Sequence, residues 1–218
     1  MFCRDNLRTS TDALRQLKRI ALALGESRTR EELIPFVTEP QEDNDEHLLV
    51  LAQELGGLLG HVGGTQFAGT LLSPLEALTG SDENSVRDAA VDSVRSVMKD
   101  MSKPHILQHI IPLLSRLSKG SYPQRVAACA LCADVHQYIS SQEGASARIE
   151  FEALTKDPLP VVRRSAAANV ARLAETAGPD HTDGLVRIFV QMAQDGVHLS
   201  ARVLTHQLGC ISKPVLRK

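Results

Sequence analysis

Apolar residues recur along this chain at one set of offsets. With Val86 as zero, they fall at +4, +8, +11, +12 and +15, on Ala90, Val94, Val97, Met98 and Met101. With Val162 as zero, the same offsets give Ala166, Val170, Leu173, Ala174 and Ala177. That spacing is the 3.6-residue stripe of an amphipathic helix. From His47 the template selects Leu51, Leu55, Leu58, Leu59 and Val62, and from Gln124 it selects Ala128, Cys132, Val135, His136 and Ile139. From Thr9 it selects Ala13, Leu17, Ile20, Ala21 and Leu24. The zero positions 9, 47, 86, 124 and 162 lie 38 or 39 residues apart, and a weaker start at Val197, with Ala201 and Leu208, follows 35 later.

Each period holds a second apolar segment: "EELIPFV", "TLLSPLEALT", "HIIPLLSRLSK", "ARIEFEALTK" and "GLVRIFVQMAQ". Proline recurs at one slot in the first three, as Pro35, Pro74 and Pro112, with Ile149 and Arg187 in its place later. Proline deep in a helix costs about 3 kcal/mol, whereas in the first turn its missing N–H is not needed. The slot is therefore expected near the start of the second helix or at a kink close to it. Short polar stretches, "GESRTR", "HVGGTQ", "MSKPHI", "SQEGAS" and "GPDHTD", read as the turns between paired helices.

One such pair cannot bury its own apolar face, and stacking repeats resolves this with a continuous core. The pattern predicts an all-α, α-solenoid fold with an open superhelix. One domain is expected over 1–218, with repeats at about 9–43, 44–82, 83–120, 121–157 and 158–195 and a partial sixth at 196–218.

Composition narrows the function classes. A formal net charge of −2 gives no global basic field for nucleic acid. Five Phe, two Tyr and no Trp leave few platforms for stacking bases. No apolar run approaches the roughly 18 residues of a membrane span. The opening "MFCRDNLRTSTDALRQL" has no signal-peptide character, so a reduced, cytoplasmic or also nuclear location is expected.

Candidate chemistry is thin. Cys129 and Cys132 have C-x-x-C spacing, but no second pair completes a tetrahedral zinc site and Cys132 lies on the buried stripe. His105 and His109 are four apart, with no third ligand close in sequence. The stretch "VGG" at 62–64 precedes no Gly-Lys-Ser/Thr, and nothing resembles a nucleophile elbow. Neither an enzyme nor a cofactor is expected. A metal- or thiol-dependent enzyme on these cysteines or histidines is the rival from another class.

The period, the apolar-x-Pro slot and Val-Arg at the head of the first helix resemble HEAT repeats. "IALALGESRTREELIPF" (20–36), "LGHVGGTQF" (59–67), "LLSPLEALTGSDENSVRDAAVDSVR" (71–95) and "VVRRSAAANVARLAE" (161–175) resemble, more specifically, the scaffold (A, structural) subunits of protein phosphatase 2A. The resemblance runs from about 13 to about 208. Departures are the shortened loop "KGSYPQR" with Tyr122 near where a Trp is usual, the lost proline slot at 149 and 187, and a shortened link after the fifth repeat. The resemblance implies a non-catalytic scaffold that docks regulatory B-type subunits through the turns within repeats. Family members carry about fifteen repeats, so the later repeats, which hold the catalytic subunit, are expected to be absent. Either such a chain competes for holoenzyme assembly, or it is a fragment, a truncated isoform or a wrongly ended gene model of a longer scaffold; an incomplete last unit is expected to self-associate. A different HEAT adaptor, such as a nuclear-transport-like carrier for protein cargo, is the nearer rival.

The turn residues expected to touch the partner are Arg28, Thr29 and Arg30; Gly63, Gly64 and Thr65; Lys103 and Pro104; and Pro179 and Asp180. The acidic run "EPQEDNDEH" (39–47) adds Glu39, Glu42, Asp43, Asp45 and Glu46, with Glu46 nearest the ridge. Arg87, Arg125 and Arg163 share one template position, downstream of Asp82, Glu83 and Asp157. Arg87 and Arg125 read as a structural ladder, each fork bridging a carboxylate of a neighbouring repeat. Arg163 and Arg164 adjoin at a helix start, the end that disfavours cations. Two helical neighbours cannot face one way. The resemblance places Pro160, Arg163 and Arg164 in the stretch on which regulatory-subunit binding depends, through direct contact or through positioning.

Overall fold

The structure is a computed structural model that describes residues 11–39, 44–177 and, further along, 184, 187, 188 and 190. Among the described residues every regular element is a helix. Internal contacts divide the chain into two compact units, Met1–His105 and Ile106–Lys218. The sixth repeat, with its expected self-association, Pro179 and Asp180, Glu42 and Asp43, and Cys3 and Cys210 lie outside the described residues.

The first unit contains α1 (Leu17–Leu24), α2 (Ile34–Thr38), α3 (Asp45–Leu55), α4 (Gly69–Leu78) and α5 (Asn84–Lys99). In the second unit are α6 (Ile111–Leu117), α7 (Tyr122–Val135), α8 (Ala145–Thr155) and α9 (Pro160–Ala177). Odd-numbered helices are the first members of the predicted pairs. In the first unit α5 packs on α3 and α4, and in the second α9 packs on α7 and α8, as stacked helix pairs of a solenoid do.

Local chemistry sets the helix starts. The Asn44 side chain accepts the Glu46 N–H at 2.9 Å ahead of α3, and Glu83 accepts the Ser85 N–H at 3.3 Å ahead of α5. Ahead of α7, the Gln124 side chain accepts the Ser121 N–H at 2.9 Å, one arm of a capping box. Asp157 accepts the Leu159 N–H at 2.8 Å at the head of α9. Each bond satisfies a backbone donor that the helix leaves unpaired.

The predicted stripes of three repeats are buried throughout their described side chains. Ala90, Val94, Val97 and Met98 line α5, and Ala166, Val170, Leu173 and Ala174 line α9. Ala128, Cys132, Val135, His136 and Ile139 are buried in and just after α7. Two stripes depart from a single straight helix. From His47, α3 stops at Leu55, yet Leu58, Leu59 and Val62 are buried in the turn and 3-10 helix that follow. The break falls at Gly56, where a Cβ would lie 2.6 Å from Ser93 Oγ and 2.8 Å from Ser93 Cα. Only glycine lets α3 approach α5 that closely, and the Ser93 hydroxyl donates to the Ala52 carbonyl there at 2.6 Å. In the first repeat Ala13 and Ile20 are exposed, and Leu14, Leu17 and Ala21 are buried instead. The non-helical backbone of Gln16 (φ −96°, ψ 4°) breaks the run there and resets its phase.

The proline slot has a structural counterpart upstream. Pro35 and Pro112 sit in the first turn of α2 and α6, each directly preceded by a π-helical turn, Thr29–Leu33 and Ile106–Ile110. A wider turn accommodates the ring, which would otherwise meet the carbonyl four residues back. Pro74 lies inside α4, and α8, with exposed Ile149 in the slot, needs no such turn.

Candidate docking edges

Antiparallel pairing puts the turns within repeats at one edge of each unit and the links between repeats at the other. Several predicted turn residues are helical: Glu26–Arg28 and Lys103–His105 are short helices, and Thr29 and Arg30 begin a π-turn. A single residue, Gly25 at φ 81°, makes the bend after α1. Thr29 is wholly buried and its hydroxyl donates to the Ala21 carbonyl at 3.2 Å, which corrects its assignment as a partner contact. It holds the bend closed.

Arg30 reaches the next turn, donating to the Val62 carbonyl at 2.7 Å while its guanidinium lies 3.9 Å over the Phe67 ring. This contact explains Gly63. At φ 93° its backbone suits glycine, and a Cβ would sit 2.8 Å from Arg30 Nη1 and 3.0 Å from Phe67 Cδ2. Gly64, at φ 87°, completes the turn. Thr65 Oγ1 lies 3.1 Å from His105 Nδ1, and Ser102 Oγ is 2.8 Å from the same nitrogen. Arg28 forms a two-pronged pair with Glu32 at 2.8 Å, exposed on both sides. Lys103 and Pro104 are exposed. Of the described turn-edge residues named from sequence, most are engaged with the next turn or with their own helix.

The link edge differs. In the first unit a groove of about 940 Å³ is lined by buried Val37, Leu51 and Leu78 and by exposed Glu39, Asp45, Asp82 and Glu83. Glu39, Asp45 and Glu83 make no ion pair among the described residues. Glu46, at the head of α3, is exposed and 4.0 Å from Arg15. Buried His47 adjoins them, and desolvation holds its pKa below the ordinary histidine value.

In the second unit the link edge carries the arginines. Arg125 grips the buried carboxylate of Asp157, Nε to Oδ2 at 2.7 Å and Nη2 to Oδ1 at 3.4 Å, and donates to the Gly120 carbonyl at 2.8 Å. Arg87, at the same template position, makes no such bridge among the described residues. It bonds Asn84 and lies 3.9 Å from Asp88, both on its own helix, so its assignment to the ladder is corrected. The reason is composition: the residue 32 positions on from Arg87, as Asp157 is from Arg125, is Lys119 and not a carboxylate. Arg163 donates to the Asp157 and Pro158 carbonyls at 2.7 and 2.9 Å. Arg164 is exposed and donates to the Pro160 carbonyl at 3.4 Å. Pro160 opens α9 and is exposed.

Two further latches were not among the residues named from sequence. Arg172 pairs with Asp134 at 2.9 Å, and Thr176 donates to the Ala133 carbonyl at 3.0 Å, both joining α9 to α7. Glu150 of α8 accepts the Ser115 and Ser118 hydroxyls at 3.0 and 2.7 Å, with Lys119 at 3.3 Å. An i to i+38 spacing of opposite charges, as in Asp134 and Arg172, would have been the cue.

Cys129 and Cys132 are both buried and free. Burial pushes the Cys129 thiol up to about 12 and the Cys132 thiol well above its ordinary value. Both thiols are therefore held in the protonated form, as buried apolar surroundings dictate. His105 is engaged with Thr65 and Ser102, and no group of three metal-ligating side chains occurs among the described residues.

No family model matches the chain. It is similar to the alpha isoform of the 65 kDa regulatory A-type subunit of protein phosphatase 2A from Arabidopsis thaliana, 39% identical over 79% of this chain and 29% of that one. The Drosophila melanogaster 65 kDa regulatory subunit of phosphatase PP2A is 39% identical over 81% of this chain and 30% of its own length. The A-type regulatory subunit of PP2A from Schizosaccharomyces pombe is 42% identical over 77% and 29%. The chain thus spans under a third of the length of the curated relatives it matches. Among solved structures, a crescerin TOG domain superposes with a TM-score of 0.63 over 95% of this chain and 86% of that one, at 16% identity. That likeness supports the α-solenoid fold alone.

Proposed function

We propose, from a chain similar over about four fifths of its length to the 65 kDa A-type regulatory subunits of protein phosphatase 2A, that this protein is a non-catalytic phosphatase scaffold. Its role is to dock a regulatory B-type subunit, and each unit offers its link edge for docking. The supporting observation is the contrast in how side chains are used. Arg30, Thr65 and Thr29 are engaged within the first unit's turn edge. On the link edges, Glu39, Asp45 and Glu83 in one unit and Arg163 and Arg164 in the other carry charge that no opposite charge among the described residues neutralises. Exposed charge of this kind guides encounter and selects the partner more than it holds the fold.

The test is capture of a purified B-type subunit by the immobilised chain at low and high salt. Binding that weakens as salt rises is expected. Charge reversal of Glu39 and Asp45 to Lys should reduce capture, whereas Arg28→Ala with Lys103→Ala on the turn edge should leave it intact. No capture by the unmodified chain, under conditions where a full-length phosphatase scaffold succeeds, would refute the reading.

A further inference from the structure

We propose that His136 and Arg148 form a pH-sensitive latch on the turn between α7 and α8, closed at neutral pH and opened by protonation of the ring. His136 is buried just past the end of α7. Its Nδ1 lies 2.9 Å from the Cys132 carbonyl. A carbonyl only accepts, so Nδ1 carries the proton of the neutral ring and Nε2 presents a lone pair. That lone pair lies 3.5 Å from Arg148 Nη1, and the same guanidinium nitrogen donates to the Ser141 carbonyl at 2.5 Å. One side chain of α8 thus ties the turn to the ring. Gly144 fits this closure, since a Cβ there would lie 2.6 Å from Nε2 and 2.8 Å from Cδ2 of the ring.

Protonation removes the acceptor. Nε2 becomes a second donor, a guanidinium has no acceptor to offer it, and an attraction turns into a like-charge contact. The elements packed around α7 bring other charges, and their carboxylates already have donors. Asp134 of α7 pairs with Arg172 of α9, Glu143 of the turn accepts the Ser140 N–H, and Glu150 of α8 accepts the Ser115 and Ser118 hydroxyls. Arg116 of α6 is exposed. A protonated ring therefore competes with existing partners for any of these carboxylates. Histidine takes up its proton as pH falls through about 6.5 and below. Acid then frees the Ser141 carbonyl and loosens residues 137–144, while the bond to Cys132 and the packing of α7 on α9 persist.

The experiment follows hydrogen exchange of the full chain at about pH 7.5 and about pH 5.5, corrected for the intrinsic pH dependence of exchange. Residues 137–144 are expected to lose about tenfold in protection at the lower pH, with α9 unchanged. His136→Gln should abolish this response. Arg148→Gln keeps a donor for the Ser141 carbonyl without the charge, so its turn should stay protected at both values. Arg148→Lys keeps the charge and should keep the response. Helical circular dichroism checks that each variant is folded, and if one substitution unfolds the chain the others carry the comparison. A flat response in the unmodified chain would overturn the latch. So would an equal response in His136→Gln or Arg148→Gln, or a loss of protection in α9 in step with the turn.

Discussion

The seam between α3 and α5 and the seam between α7 and α9 pose the same packing problem, and this protein solves it in two ways. In the first, backbone approaches backbone: Gly56 admits Ser93, whose hydroxyl bonds the Ala52 carbonyl. In the second, charged and polar side chains span the seam: Arg125 with Asp157, Arg172 with Asp134, Ser165 with the Val126 carbonyl, Thr176 with the Ala133 carbonyl. A close approach is intolerant of volume and indifferent to salt and pH. A latched seam tolerates volume and depends on its charges.

The largest expected effect comes from the one buried latch. Asp157→Ala leaves the Arg125 charge, 20% exposed, without its carboxylate and removes the bond to the Leu159 N–H, so a loss of about 3 kcal/mol is expected by urea denaturation. A loss below about 1 kcal/mol would mean that the latch is ornamental and the seams alike. Next, Gly56→Ala should cost about 1–3 kcal/mol by overpacking. Adding Ser93→Gly should restore only part of this, since Ser93 Cα also lies within 2.8 Å of the new methyl. Full restoration would show that the backbones are not in contact.

Arg172→Ala tests the exposed latch. With the Arg172 side chain 46% exposed, a cost of about 0.5–1 kcal/mol is expected, falling further at high salt. The smallest effect is the pH response of the first unit. His47 is held neutral by burial, so its folded pKa is depressed below the unfolded one. Its contribution is fully present above the unfolded pKa near 6.5 and is lost as pH falls through that value toward the folded pKa, because the unfolded chain then binds a proton that the native chain does not. His47→Gln should flatten that slope in denaturation curves collected across this range.

Much of the fold was legible because the stripe and its period are local arithmetic. Positions that face a neighbour are mostly apolar, and in α5, α7 and α9 every template position with a described side chain is buried. It failed where the backbone leaves the helix. Gln16 and Gly56 each break a run that the template treats as straight, and the second break answers to Ser93, far away in sequence. The candidate site was less legible. Arg87 and Arg125 are equivalent in spacing but not in partner, and Thr29 reads as a polar turn residue yet is buried on the Ala21 carbonyl.

By itself the sequence determined that helices pair and stack, because a 3.6-residue stripe repeated every 38 or 39 residues has no other way to leave water. It also placed Cys132 on the buried stripe, where the structure has it. Only the tertiary structure decided which edge keeps its side chains for itself and which leaves them charged and open. Whether a guanidinium meets a carbonyl, a carboxylate or solvent depends on what a neighbouring repeat places within about 3 Å of it, and a one-dimensional pattern does not carry that distance.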